Sequence, residues 1–397
     1  MSWPLVSLES ISEFIRNGAS IKQSKDAGGL PITRIETIAE RKVNLEKFGY
    51  ADVNDSEYRD YRLSNGDILI SHINSEKHLG KCAIYECSRS DVIHGMNLLC
   101  LRPIKGMVFP RYLFHYLSGP EFGRLIPSIT KKSVNQASFT VTAFKGLEIP
   151  LPPLTEQKHI AAILDKADAI RSKRQQAIQL ADEFLRAVFL DMFGDPVTNP
   201  KGFPLGTIRD LVESANYGSS AKASEAGGDY PILRMGNITY GGAIDMTDLK
   251  YIDLTDKEKP KYLAVKGDLL FNRTNSKELV GKTAVYDRDD PVAIAGYLIR
   301  VRTNEKGNSH YISGYLNSAH GKATLQNMCK SIVGMANINA QEMQDIPLII
   351  PPLSLQNRYR DIVVSTKEKL AAHQAALNAN NELFNALSQK AFSGQLS

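Results

Sequence analysis

Residues 66–86 read GDILISHINSEKHLGKCAIYE, and residues 267–287 read GDLLFNRTNSKELVGKTAVYD. Gly-Asp, Asn-Ser, Gly-Lys and Ala-x-Tyr-acid coincide at a constant offset. The same offset, within a residue or two, aligns WPLVSL (3–8) with FPLGTI (203–208), and LPITRI (30–35) with YPILRM (230–235). It also aligns IPLPPLTEQ (149–157) with LIIPPLSLQ (348–356). A fixed period means that one supersecondary unit, here of about 200 residues, is written twice.

The tail of the second stretch, Gly281-Lys282-Thr283, is also the tail of a phosphate-cradling loop. The flanking sequence argues against that use. A P-loop needs a helix N-terminus after the lysine to hold the anion. TAVYDRDDPVAIAGYLIRVR is instead rich in Val, Ile and Tyr and reads as strand. Ser276 stands where the first glycine of the loop belongs, and the first copy carries Cys82 where a magnesium-binding hydroxyl would be required. What both copies share is Gly80 or Gly281 ahead of a strand, which fits a backbone turn at positive φ.

Each copy has two parts. The first, residues 1–150 and again 196–349, mixes short strands, turns and short helices. The second, residues 151–195 and 350–397, is a long helix. After Pro152-Pro153 no Pro or Gly occurs until Gly194, with Thr155 as the expected N-cap. To Phe193 that run is roughly 57 Å long. Ile163, Ile170, Ala177 and Phe184 fall on one heptad row, and Ala167, Ala181 and Val188 on the next. In the second helix Val363, Leu370, Leu377, Phe384 and Ala391 recur by sevens, interleaved with Thr366, His373, Asn380 and Leu387. Two such seams are satisfied by packing on each other as an antiparallel coiled coil. The fold class is therefore α+β: two similar mixed α/β heads, separated by two paired long helices and related by a pseudo-two-fold internal repeat.

Composition excludes several classes. With 397 residues, 43% hydrophobic and 23% charged, the chain is an ordinary globular protein of two or three domains. No apolar run is long enough to span a membrane. The opening MSWPLVSLESISEF has no basic start followed by an apolar core, so it does not read as a signal peptide. Cys82, Cys87, Cys100 and Cys329 lack metal or redox spacing and read as reduced thiols of a cytoplasmic protein. No metal-protease, nucleophile-elbow or glycine-rich cofactor motif occurs, and His373 and the other histidines are scattered singly. The net charge of +5 is too small to identify a nucleic-acid footprint by itself, so any footprint must be local.

Four polar clusters qualify: Lys22 to Lys25; His72 to Lys77; Lys131, Lys132 and Ser133 with Asn135 and Gln136; and Asn272 to Lys277. Asn, Arg and Lys together can read base edges and grip phosphate. The residues singled out as DNA contacts are Asn74, Lys77, Lys131, Lys132 and Gln136 in the first copy. In the second they are Arg273, Asn275, Lys277, Asn337 and Asn339.

IPLPPLTEQKHIAAILDKADAIRSKRQQAI followed by LRAVFLDMFGDP closely resembles the central repeat of the specificity subunit of Type I DNA restriction-modification systems. The second copy, IIPPLSLQNRYRDIV, is a looser match, with Leu355 where the first has Glu156. The resemblance covers the whole chain in the order head, helix, head, helix. It implies that each head is a target-recognition domain for one half of a split DNA sequence. The helices would set the gap and bind two modification (methyltransferase) subunits. S-adenosylmethionine would then sit on those partners, ATP and Mg on restriction subunits that join them, and no cofactor on this chain, which would itself catalyse nothing. The competing expectation is a two-headed coiled-coil scaffold that binds proteins and does not read DNA.

Overall fold

The computed structural model describes residues 3–396 except 26, 27, 40, 55, 135, 333 and 334; the side chains of 182, 331 and 332 are also left aside. Asn135 of the third polar cluster therefore lies outside the described residues. The chain divides into two compact units, Met1–Arg174 with Ala375–Ser397, and Gln175–Gln374.

The duplication extends to the hydrogen-bond register. In the first unit a four-stranded antiparallel sheet runs in the order Ser12–Asn17, Leu98–Pro103, Ile68–Ser71, Cys82–Ile84. In the second the order is Val212–Tyr217, Leu298–Thr303, Leu269–Asn272, Thr283–Val285. Both sheets carry a bulge at the same place, between Ser12 and Phe14 and between Val212 and Ser214. The Gly-Asp-Ile-Leu-Ile-Ser strand is buried on both faces, which is why it reads as a continuous apolar run rather than an alternation. Ile68 and Ile70 face the helices, while Leu69 packs with Ala83, Leu98 and Cys100 on the other side. Gly80 and Gly281 adopt φ of +76° and +80°, and each abuts a helix residue, Ile126 and Leu325, that a Cβ would crowd. The turn expected from sequence is thus present in both copies.

A short antiparallel pair closes each head on itself. Leu5–Ser7 pairs with Glu148–Pro150, and Leu205–Thr207 with Pro347–Ile349. This explains why the first and last motifs of the repeat travel together. A second, smaller sheet is also repeated, with Ile32 bridging Ile93 in parallel as Ile232 pairs with Ala293, but its strands differ in extent. In the first unit Gln23–Ser24, Gly49–Ala51 and Leu30–Ile32 form three antiparallel strands. In the second, Tyr230–Leu233 sits between Lys250–Ile252 and a parallel partner, Val292–Ile294.

The long helices span Leu154–Phe193 and Leu353–Phe392. Thr155 lies inside the first turn and is not the N-cap expected from sequence. The residue that fixes the start is Gln157, 1% exposed. Its amide donates to Met107 O and Pro152 O at 3.1 and 2.9 Å, and its Oε1 accepts from Phe109 N at 2.7 Å. Gln356 repeats the latch, donating to Lys306 O and Pro351 O and accepting from Asn308 N. Gln157→Ala removes the side-chain partner of three backbone groups, of which Pro152 O is buried and Met107 O and Phe109 N part-buried. We expect it to cost at least about 1–3 kcal/mol, read as a lower denaturant midpoint.

In the first unit Ile160, Ala161 and Leu164, from the start of the first long helix, share a core with Phe384, Ala391 and Phe392, from the end of the second. In the second unit Phe189 and Phe193 share a core with Tyr359 and Val363. Phe193 lies 4.7 Å from Tyr311 and 5.4 Å from Tyr359, centroid to centroid. Of the row read for the second helix, Val363, Leu377, Phe384 and Ala391 are buried and Leu370 is half-buried. The first row read for the first helix does not hold, because Ile170 and Phe184 are half-exposed. Near its ends this helix packs on strands and short helices of a head, so the buried face follows those neighbours rather than a two-helix seam. His373 is exposed.

Candidate nucleic-acid interface

Most of the residues singled out from sequence meet on one small sheet in each head. In the first unit Ile73–Asn74 pairs with Ala137–Ser138, which pairs with Lys131–Lys132. Asn74, Lys131 and Lys132 therefore share a three-stranded ribbon, and Gln136 lies in its exposed turn. Lys131 is exposed, while Lys132 forms an ion pair with Glu76 at 2.7 Å. The Asn74 amide donates to Ser71 Oγ at 3.1 Å, and its Oδ1 accepts from Ser75 N. Lys77 stands exposed on the turn Glu76–His78.

In the second unit the matching ribbon is Thr274–Asn275, Met335–Asn337 and Lys330–Ile332. Asn275, Asn337 and, one residue before the strand, Arg273 are brought together there. Lys277 is exposed in the following turn. Asn275 spends its Oδ1 on Ser276 N at 2.9 Å. Asn339 caps the helix Ala340–Gln344, its Oδ1 accepting from Gln341 N and Glu342 N, so its carboxamide oxygen has a structural use.

Arg273 is the most built of these positions. Its backbone is fixed on both sides: its N donates to Tyr297 O at 3.0 Å, and its O accepts from Ile338 N at 2.9 Å. Its guanidinium carbon lies 4.7 Å from the centroid of the Tyr217 ring. Nη2 donates to Asn337 Oδ1 at 3.3 Å, and Asn337 Nδ2 donates to Thr274 Oγ1 at 3.1 Å. Tyr217 is 42% exposed, and its hydroxyl accepts from Ala340 N at 3.0 Å. Tyr297 and Met235 are also exposed nearby, along one cleft of about 830 Å³ that includes Lys222 and Arg234. Composition and motif reading missed Tyr217, Tyr297 and Gln157. The available signal was the comparison of the two copies position by position, where Asn17 stands opposite Tyr217 and Asn97 opposite Tyr297.

The equivalent of Arg273 in the first head is His72, whose O accepts from Phe139 N at 3.1 Å as Arg273 O does from Ile338 N. His72 is buried edge-on against Phe139, its Nδ1 has no hydrogen-bond partner, and burial lowers its pKa. The same scaffold position is thus a fork of donors in one head and a neutral ring in the other.

The lysine of Gly281-Lys282-Thr283 donates to Met235 O at 2.9 Å, and burial lowers its pKa. Thr283 is buried in a strand and donates to Gly281 O. Thr283 is thus unavailable to phosphate, and Lys282 is turned to a backbone carbonyl rather than to a helix N-terminus. Among the described residues no cluster of His, Cys, Asp or Glu could hold a metal ion, and no helix is long and apolar enough to cross a membrane.

The family model for the Type I restriction modification DNA specificity domain matches the chain twice, at residues 2–180 and 200–379. The putative type I restriction enzyme MjaX specificity subunit of Methanocaldococcus jannaschii is 39% identical over 60% of this chain, but that match spans only about half of the relative, 53%. The type I restriction enzyme EcoKI specificity subunit of Escherichia coli is 24% identical over 99% of this chain and 89% of that protein. Among solved structures, the S subunit of a Type-I restriction-modification system from M. genitalium superposes with a TM-score of 0.63. It is 14% identical and covers 99% of this chain and 96% of that one. The doubled head, the doubled latch and the doubled family match agree: the chain belongs to the Type I restriction-modification DNA specificity subunits.

Proposed function

We propose that this DNA-specificity subunit reads an asymmetric, bipartite target, one half with each head. As a specificity subunit it is the non-catalytic member of its system. In this reading residues 1–150 and 196–349 are the two target-recognition domains, and residues 151–195 and 350–397 form the spacer. The long helices pair antiparallel as a coiled coil that sets the gap between half-sites. Supporting this, the start of the first helix and the end of the second share one core, and the reverse ends share the other. Two modification subunits dock on the chain and carry S-adenosylmethionine and the adenine methylation. Restriction subunits using ATP and Mg join them in the cytoplasm. Methylation requires the target base to leave the stack, so the DNA is distorted in the complex.

The observation that carries this reading is one scaffold present twice with different side chains at matched positions, His72 against Arg273 and Asn17 against Tyr217. Two different readers on one frame imply two different half-sites. The DNA contacts we assign are Asn74, Lys77, Lys131, Lys132, Gln136, Arg273, Asn275, Lys277, Asn337 and Asn339. The test is methylome sequencing of cells expressing this chain with its cognate modification subunit, beside cells lacking the chain. A new split motif methylated in both halves is the expected result. An assembled complex that leaves no new motif would sink it.

Lys131 is exposed and positioned on the ribbon edge, so it fits a phosphate contact. Lys131→Ala is expected to weaken binding equally on all sequences and to reduce the slope of log K against log salt by about 1. A changed base preference would instead make it a reader.

A further inference from the structure

We infer that Arg273 reads a guanine in the half-site of the second head, and that Tyr217 and Asn337 are the residues that position it. The inference rests on the DNA-reading function above and names one base and its reader. The nearest sequence to Arg273 does not aim it; two distant segments do. Tyr217 ends the edge strand Val212–Tyr217 of the four-stranded sheet, and its ring lies against the guanidinium. Asn337 comes from the outer ribbon, accepts from Nη2, and is itself held by Thr274. The Tyr217 hydroxyl is tied to Ala340 N, at the start of the helix that Asn339 caps. The guanidinium is therefore clamped by an aromatic face and one carboxamide.

The donors left over decide the chemistry. Nε is buried and has no partner, so it faces into the protein. Among the described residues Nη1 makes no hydrogen bond, and Nη2 spends a single one. The Nη1–Nη2 end of the fork therefore remains as a pair of parallel donors. A pair of acceptors side by side on one base edge is the O6/N7 edge of guanine in the major groove, and arginine is its usual partner. Adenine offers one acceptor and one donor there, which a fork of donors does not match. Phosphate also accepts bidentate arginine. A phosphate contact, however, needs no fixed plane, whereas here the plane is set by two side chains that are themselves held, Tyr217 by Ala340 N and Asn337 by Thr274. Tyr217 and Tyr297 are both exposed, and the backbone O of Tyr297 accepts from Arg273 N, so apolar ring surface is available near the fork. In the first head His72 is buried and Asn17 replaces the tyrosine, so no such fork exists at the matched place. This asymmetry confines the guanine reader to one half-site.

The test uses the full complex with its modification subunits, methylating a DNA library in which each half-site is randomised in turn. The wild-type complex should require a G·C pair at one position of the half-site read by the second head. Arg273→Gln should move that position from guanine towards adenine, because a carboxamide matches the adenine edge. Arg273→Ala should lower discrimination there by about 5- to 150-fold, the equivalent of one bidentate contact. Neither should alter the other half-site. Tyr217→Ala should relax the same single position, and Tyr217→Phe, which keeps the ring, should restore it. That rescue separates positioning from general loss of fold, which thermal melting of each variant also monitors. Uniform loss on all sequences with a shallower salt dependence would make Arg273 a phosphate contact and overturn the assignment. A second half-site without any G·C requirement, or Tyr217→Ala with unchanged preference, would overturn it as well. A wild-type complex with no sequence preference in either half-site would instead defeat the DNA-reading function itself.

Discussion

Asp67→Ala is expected to destabilise the first unit by about 1.5–3 kcal/mol, because it removes a buried carboxylate that holds a half-buried guanidinium. Asp67 is 1% exposed. Its Oδ1 accepts from Arg102 Nε at 2.8 Å, and its Oδ2 accepts from Arg102 Nη2 at 2.7 Å and from Ser64 N at 2.7 Å. The alanine leaves Arg102 half-buried without a counter-charge and the turn Ser64–Asp67 without its closing acceptor. The measurement is convenient because Trp3 is the sole tryptophan of the chain and belongs to this unit, donating from Nε1 to Ala391 O at 3.0 Å. Its fluorescence should lose its transition at markedly lower denaturant in the variant. Asp91→Ala removes an acid from the more exposed pair with Arg89 and should shift the same midpoint by under about 1 kcal/mol. Equal shifts for the two variants would contradict the role given to burial. Asp268 repeats the arrangement with Arg302, so the repeated Gly-Asp supplies a buried carboxylate paired to an arginine as well as a turn.

Phe384→Ala is expected to cost about 3–5 kcal/mol, and Phe184→Ala under about 1 kcal/mol. Both phenylalanines fall on heptad rows of the long helices. Phe384 is 3% exposed, with its ring beside His115 and the Arg171 guanidinium 4.4 Å from its centroid. Phe184 is 51% exposed. Truncating Phe384 therefore opens a cavity in the core that joins the end of the second long helix to its unit. Truncating Phe184 removes a ring already half in water. The Trp3 midpoint should move for Phe384→Ala, and a comparable movement for Phe184→Ala would contradict this packing.

The contrast shows what the sequence can and cannot specify here. Heptad spacing identified two long helices correctly, because helix formation depends on local periodicity and the absence of Pro and Gly. It misassigned part of the buried face of the first, because that face is chosen by whichever strands and helices pack there. The Gly-Asp turns were legible from a repeated glycine, but their ion pairs were not, since Arg102 lies 35 residues from Asp67. Likewise Arg273 was legible as a polar residue in a varied loop, and its aim was not. Asn337, 64 residues away, and Tyr217 on another strand set that aim. Asn339 looked equivalent to Asn337 in sequence, yet one caps a helix and the other holds the arginine.

By itself the sequence determined the duplication, the order head, helix, head, helix, the two long helices and the family, because a repeat and a local period survive in one dimension. Only the tertiary structure decided which helix face is buried, which asparagine is structural, and that Arg273 in one head is a clamped fork where His72 in the other is a buried ring. Those outcomes depend on contacts between segments far apart in the chain, where a side chain's role is set by its neighbours in space and not by its own type.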